Sequence, residues 1–204
     1  MIKVIGLTGP SGSGKTTLCE IASHLGIKSI DTDKVYHDLL SPPSDCLREL
    51  TLEFGSEILD GDGNLNRASL ASIVFTPSDN GAEKLERLNK ITHKYVLDKA
   101  RQTIRAAELD GEKMIIVDAP ALYESGFDKE CYAVVCVLAD RELRLDRIIK
   151  RDVISNARAS ERLNGQKDDE FYSSRADFII INNGDAEMMK KALEQIIRDI
   201  ENSQ

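Results

Sequence analysis

Five short apolar runs rich in β-branched residues punctuate the chain: residues 2–7, 27–30, 114–117, 133–138 and 178–181. Their hydrophobicity is near-continuous rather than alternating, the pattern of strands covered on both faces. Amphipathic helical stretches stand between them, as parallel crossovers require. Leu18, Ile21, Ala22 and Leu25 form one apolar stripe, with Gly26 in the place of a helix C′ residue. Ala186, Met189, Leu193, Ile196, Ile197 and Ile200 form the last, at spacings of three and four. The pattern predicts an α/β fold built on a five-stranded parallel sheet flanked by helices.

One connection is out of proportion. Residues 31–113 separate the second run from the third, far more than a single crossover helix needs, so the segment must carry structure of its own. Stretches 46–54, 67–75 and 82–108 admit amphipathic helical readings. Gly61-Asp62-Gly63-Asn64 and Thr76-Pro77-Ser78-Asp79-Asn80-Gly81 supply loop chemistry between them. A small helical lobe following the second strand is well placed to hold a second substrate, because ligands of open α/β sheets lie beyond the carboxyl ends of strands.

A chain of 204 residues with 41% hydrophobic content can bury a substantial core and fits one α/β domain carrying that insertion. A formal net charge of −8 argues against nucleic acid or an anionic membrane as the main partner. Anionic small molecules stay compatible through local basic clusters. No apolar stretch approaches the roughly 20 residues that span a bilayer, and the first residues lead straight into a strand, so a cytoplasmic protein is expected. Cys19, Cys46, Cys131 and Cys136 lack metal-site spacing and read as reduced thiols. His24, His37 and His93 are scattered singly, each by default a surface or packed histidine.

Chemistry concentrates behind the first run, where Gly9-Pro10-Ser11-Gly12-Ser13-Gly14-Lys15-Thr16 matches G-x-x-x-x-G-K-[ST] in full. This is a phosphate-binding loop: bare glycines let backbone N–H groups approach phosphate oxygens, and the following helix N-terminus faces the anion. Lys15 adds a point charge, and the Thr16 hydroxyl can complete a Mg²⁺ shell. A nucleoside triphosphate is therefore the expected ligand, with Gly12, Ser13, Gly14, Lys15, Thr16 and Thr17 as its binding positions.

Three further places qualify as candidates. Asp31-Thr32-Asp33 follows the second run directly; a carboxylate there can orient an attacking hydroxyl and take its proton late, or either aspartate can cap the helix beginning near Lys34. Asp118 ends the third run, where it reaches a metal through water or binds loop N–H groups. Arg144, Arg147 and Arg151 recur at three and four residues, on one helical face with Leu143, Ile148 and Ile149 turned partly away. Such a face clamps phosphates bidentately or is a solvated, self-paired surface.

Taken in order, the motifs resemble the dephospho-CoA kinase family along nearly the whole chain. They run from Gly6-Leu7-Thr8-Gly9 and the loop through Ile30-Asp31-Thr32-Asp33, Phe54-Gly55 and Asp62-Gly63 to Arg67-Ala68-Ser69-Leu70 and Val74-Phe75. Leu88-Asn89-Lys90-Ile91-Thr92-His93, Pro120-Ala121-Leu122-Tyr123-Glu124, the arginine helix, Arg162 with Gln166, Ala176-Asp177 and Ile181-Asn182-Asn183-Gly184 follow. The resemblance implies transfer of the ATP γ-phosphate to the ribose 3′-hydroxyl of dephospho-CoA, with Mg²⁺ as cofactor and a monomer needing neither nucleic acid nor membrane. It implies Asp33 as base, Lys15, Arg144 and Arg147 among the catalytic groups, Thr16 and Asp118 toward the metal, Arg67 and His93 toward the acceptor, and Gln166 at a mobile lid.

The implied division is a single P-loop kinase domain with a core (1–32, 112–151, 175–204), a helical acceptor-binding insertion (33–111) and a lid (152–174). The lid segment has mixed charge and few large apolar residues, as a part that opens should. Several positions depart from the family pattern. Pro10-Ser11 replaces a common glycine–isoleucine, Lys94 stands where a proline often follows the histidine, Ala121 replaces a leucine, and Arg144 occupies a frequent glutamine position. A shikimate-type kinase would share the loop and the D-x-D segment but normally has a shorter insertion. A GTPase switch would need N-K-x-D, and Asn89-Lys90-Ile91-Thr92 lacks the aspartate. A catalytically idle homologue would have little reason to keep Lys15, Thr16 and Asp33.

Overall fold

A computed structural model describes residues 1–75 and 81–203. The loop expected at 76–81 therefore lies, apart from Gly81, outside the described residues. The chain divides into two compact units, 1–30 with 106–204, and 31–105. The expected boundaries fell at 32/33 and 111/112, and the segment expected as a lid groups with the larger unit.

The larger unit is built on five strands: β1 (Lys3–Thr8), β2 (Lys28–Asp31), β3 (Met114–Asp118), β4 (Ala133–Leu138) and β5 (Phe178–Ile181). They form the expected five-stranded parallel sheet, its strands in the order β2-β3-β1-β4-β5. Alternate residues point to one face. Ile5 and Leu7 of β1, Ile116 of β3 and Val135 and Val137 of β4 meet Leu18 and Ala22 of helix α1 (Lys15–His24) and a stripe of Met189, Leu193, Ile196 and Ile200 from the last helix. Gly26, with φ +80, turns the chain out of α1, and Ile27 N–H donates back to the Ala22 carbonyl, so the residue acts as the C′ position its spacing suggested.

Burial on both faces holds for β1, β3 and β4 but not for the outer strands. On β5, Ile179 and Ile181 are 47% and 56% exposed, and β2 buries only Ile30. An apolar run reports strand propensity, whereas its place in the sheet order decides how much of it is covered.

The smaller unit is helical and has its own core. It contains α2 (Thr32–Leu39), α3 (Asp45–Phe54), α4 (Arg67–Val74) and all but the end of α5 (Gly81–Leu109). Side chains cap three of these: Asp31 accepts from Lys34 N–H, Ser44 from Leu47 N–H and Asn66 from Ser69 N–H. Cys46, Leu50 and Phe54, one turn apart on α3, pack with Leu70, Val74 and Ile91. Gly61-Asp62-Gly63-Asn64 is the turn its composition predicted, with Asp60 Oδ1 accepting from the N–H groups of Asp62 and Asn64 at 3.0 and 2.9 Å.

The remaining elements of the larger unit are α6 (Arg141–Asp152), α7 (Asn156–Asn164), α8 (Asp169–Ser173) and α9 (Ala186–Asn202). Ile148 of α6 packs on Ala159 and Leu163 of α7. Among the described residues no helix is long and apolar enough to cross a membrane.

Candidate active site

Phosphate chemistry begins where β1 delivers Gly9. Three glycines of the loop hold φ +138, +78 and +103 at Gly9, Gly12 and Gly14, a region L side chains rarely occupy. Space is as restrictive as φ. A Cβ on Gly9 would lie 2.2 Å from the Val137 carbonyl oxygen, and one on Gly12 2.7 Å from the Arg144 carbonyl oxygen. The loop is thus pressed between the carboxyl end of β4 and the start of α6. Gly14 opens α1 without any side-chain cap, and the first turn holds no acid, so the positive end of the helix is left to an anion. Lys15 Nζ donates to the Gly9 carbonyl at 2.8 Å, while Thr16 and Thr17 are exposed in the first turn.

Arg147 of α6 lies against this loop. It donates through Nη1 to the carbonyls of Gly12 (3.1 Å) and Ser13 (3.4 Å), and through Nη2 to the carbonyl and Oδ1 of Asn182 (3.1 and 3.4 Å). Arg144 is buried and pairs with Asp169 of α8 at 3.2 Å. The expected helical face is corrected here. Arg144 and Ile148, one turn apart, are both buried, so Arg144 points into the protein rather than away from the apolar side. Arg151 remains outside, donating to Ser11 Oγ at 3.3 Å and pairing with Asp152, which also receives Arg162. Gln166 Oε1 accepts from Ser11 N–H at 3.0 Å, which brings the 152–174 segment onto the loop.

Several buried polar atoms around the loop have no hydrogen-bond partner: Thr8 Oγ1, Ser13 Oγ and Arg144 Nε. Orphans of this kind are uncommon in folded proteins, and their clustering marks a place that functions with something bound. Asp118 ends β3 in register with Leu7, two residues before Gly9. Among the described residues no group of three or more His, Cys, Asp or Glu side chains could hold a metal. Mg²⁺ keeps several waters and is held largely through substrate phosphates, so it needs few protein ligands, and the Thr16 hydroxyl and the strand-end Asp118 carboxylate are the candidates. Cys136 on β4 is no rival nucleophile, since burial pushes its thiol up to about 12.

The helical unit carries the remaining candidates. Asp31 is the N-cap and α2 starts at Thr32, not near Lys34, so Asp33 is left exposed as the second helical residue with the capping duty taken by its neighbour. Arg67 opens α4 and meets His37 Nδ1 through Nη2. His37 stands one turn beyond Asp33, so α2 presents Asp33 and the Arg67 contact on one side. His93 is half-buried on α5. Next to it, Lys94 pairs with Glu49 of α3 at 2.9 Å, and Tyr95 donates to the same carboxylate at 2.6 Å. These hydrogen bonds, Tyr95 first, hold the Glu49 carboxyl below its ordinary range. The lysine at a frequent proline position thus ties α5 to α3.

Two residues escaped the sequence reading. His37 carried no motif. Asn182 directly follows an apolar strand, the same signal that pointed to Asp118, but lay inside a motif to which no role was attached.

A parallel sheet whose first strand feeds an uncapped, glycine-built anion cradle, backed by an arginine helix, defines a P-loop kinase. The dephospho-CoA kinase family profile matches residues 3–188. The chain is 37% identical to the dephospho-CoA kinase of Fusobacterium nucleatum, over 98% of this chain and 99% of that one. Its fold is similar to a solved dephospho-CoA kinase from Campylobacter jejuni (29% identity, TM-score 0.68, 98% of both chains) and to a crystal structure from Thermus thermophilus (25%, TM-score 0.81, 97% of both). The chain belongs to the dephospho-CoA kinase family.

Proposed function

We propose that the chain transfers the γ-phosphoryl group of ATP to the 3′-hydroxyl of dephospho-CoA, giving CoA and ADP, with Asp33 as the base. The hydroxyl oxygen bonds to the γ-phosphorus as the bond to the β,γ-bridging oxygen breaks, and the hydroxyl proton passes to the Asp33 carboxylate. Because that proton leaves late in a loose transition state, the carboxylate serves mainly to orient the hydroxyl. The observation that carries the donor half is the uncapped, acid-free start of α1 behind three glycines of positive φ.

Lys15 and the N–H groups of Gly12, Gly14, Thr16 and Thr17 hold the β- and γ-phosphates, with Ser13 completing the loop around them. Thr16 and, through water, Asp118 would hold Mg²⁺, which when bound neutralises phosphate charge. Buried Arg144 adds a fixed positive charge, and Arg147 acts from behind the loop. Arg67 and His93 bind the acceptor's anionic parts, with Gln166 contributing from the lid. An overall charge of −8 disfavours nucleic acid, and small anionic substrates are held against it by such local cations.

ATP consumption measured against dephospho-CoA, shikimate and nucleoside monophosphates in parallel tests the reading. Dephospho-CoA should be the stimulating acceptor. Stimulation by shikimate or a monophosphate alone overturns it, and no stimulation by any acceptor points to a binding homologue.

A further inference from the structure

We infer that Asn182 is a positioning residue for the phosphoryl donor: with Arg147 it fixes the peptide planes of the loop so that the Gly14 N–H points at the phosphates. The inference rests on the reading of the loop as the ATP site. Asn182 follows β5, its own N–H donating to the Leu138 carbonyl at 2.8 Å, and its side chain is buried. Nδ2 donates to the Ser13 carbonyl at 2.8 Å. That carbonyl also receives Arg147 Nη1, and Arg147 Nη2 holds the Asn182 carbonyl and Oδ1. Asparagine and arginine therefore form one bracket with the Ser13 carbonyl at its centre.

The consequence follows from peptide geometry. In a trans peptide the C=O and the next N–H point in nearly opposite directions. Pinning the Ser13 carbonyl toward Asn182 aims the Gly14 N–H away from the bracket, toward the open side of the loop. The Gly12 carbonyl is drawn back by Arg147 in the same way, while Ser13 N–H closes the loop on the Pro10 carbonyl at 3.3 Å. Glycine at position 14 is required from this side as well, since a Cβ there would lie 2.0 Å from Asn182 Nδ2. Preorganised N–H groups that need no rearrangement are what make such a cradle effective against transferring charge.

Three variants separate this role from packing. Asn182→Asp keeps shape and the acceptor for Arg147 but replaces the donor to Ser13 by a second acceptor. Asn182→Ala removes both, and Arg147→Lys keeps a cation without the two-pronged reach. Expected are ATP dissociation constants raised about 10- to 100-fold in Asn182→Asp and Asn182→Ala, as for loss of a buried hydrogen bond that leaves its partner unsatisfied. Arg147→Lys should raise the constant less. The KM for dephospho-CoA should stay within about two-fold.

A packing role predicts instead that aspartate stays close to wild type and only alanine loses affinity. ATP binding by Asn182→Asp at wild-type strength, or equal losses for both substrates, would overturn the inference. If either Asn182 variant unfolds below assay temperature, Arg147→Lys decides alone: unchanged ATP affinity overturns the bracket. Failure of the wild type to bind ATP would instead remove the donor reading itself.

Discussion

The two units carry their candidate chemistry in different ways. In the sheet unit the chemistry is largely main chain: N–H groups of a loop whose glycines are fixed by φ and by neighbours that would lie only 2.0 to 2.7 Å from an added Cβ. In the helical unit it is side chains alone: Asp33 and Arg67 are exposed near helix starts, and His93 is half-buried on a long helix. A main-chain site constrains which residues may occupy it, because each position must permit a close approach. A side-chain site constrains only a few positions and can be reached from many turns of helix. A given substitution should therefore damage the donor half through geometry and the acceptor half through chemistry.

The largest effect should come from chemistry without geometry. Asp33→Asn preserves size at an exposed position and leaves the cap to Asp31. Turnover is expected to fall by about 10²- to 10⁴-fold, the usual worth of a positioned general base, while ATP affinity changes by less than about two-fold. Single-turnover kinetics with ATP binding measured alongside checks this, and unchanged turnover sinks the role of Asp33. Gly14→Ala is the reverse case. The new Cβ meets Asn182 Nδ2 and the residue is strained at φ +103, so ATP affinity should fall by about 100-fold. Calorimetric titration with ATP would measure it. Affinity for dephospho-CoA should survive, and loss of both together would mean that the two units do not divide the substrates.

The same division explains what could be read from the chain in advance. The loop announced itself, since glycines required by positive φ cannot be exchanged, and so did the sheet, whose central strands are buried nearly throughout. The outer strands misled in part because residues 178–181 are as apolar as the inner runs, although their position at the sheet edge exposes them; Lys28 and Ser29 already made 27–30 the least apolar run. The start of α2 was placed near Lys34, two residues late, because two aspartates competed for one cap. Arg144 was turned outward on paper because a charge is normally solvated, whereas Asp169, distant in sequence, supplies the partner that lets it be buried. The acceptor candidates came from family resemblance, as no spacing rule marks an arginine at the start of α4 or a histidine inside α5.

A smaller effect concerns the scaffold of the helical unit. Tyr95 and Lys94 lower the pKa of Glu49, so the ionised carboxylate stabilises the folded unit. A depressed value means this contribution is complete above the unfolded glutamate pKa of about 4.3 and is lost as pH falls through the lower folded value. Glu49→Gln should lower the melting temperature slightly at neutral pH, and the difference from wild type should close as the pH drops below about 4. Thermal melts across pH 3 to 7 would follow it. A difference that persists in acid would show that packing against Tyr95, not charge, is what the substitution removes. ATP affinity should not respond, because the affected contacts all lie between α3 and α5.

The smallest effect is expected at the loop's least typical position. Ser11 contributes a backbone N–H to Gln166 and a hydroxyl to Arg151, and only the hydroxyl bond depends on its side chain. That bond is long, at 3.3 Å, and Arg151 is more than half exposed and already paired with Asp152. Exposed charge-assisted contacts of this kind contribute little. Ser11→Ile, restoring the residue common in the family, should therefore change the KM for ATP by about two-fold or less, and the pre-steady-state rate of ATP capture by a similar factor. A ten-fold change in either would mean that the hydroxyl couples the loop to the 152–174 segment.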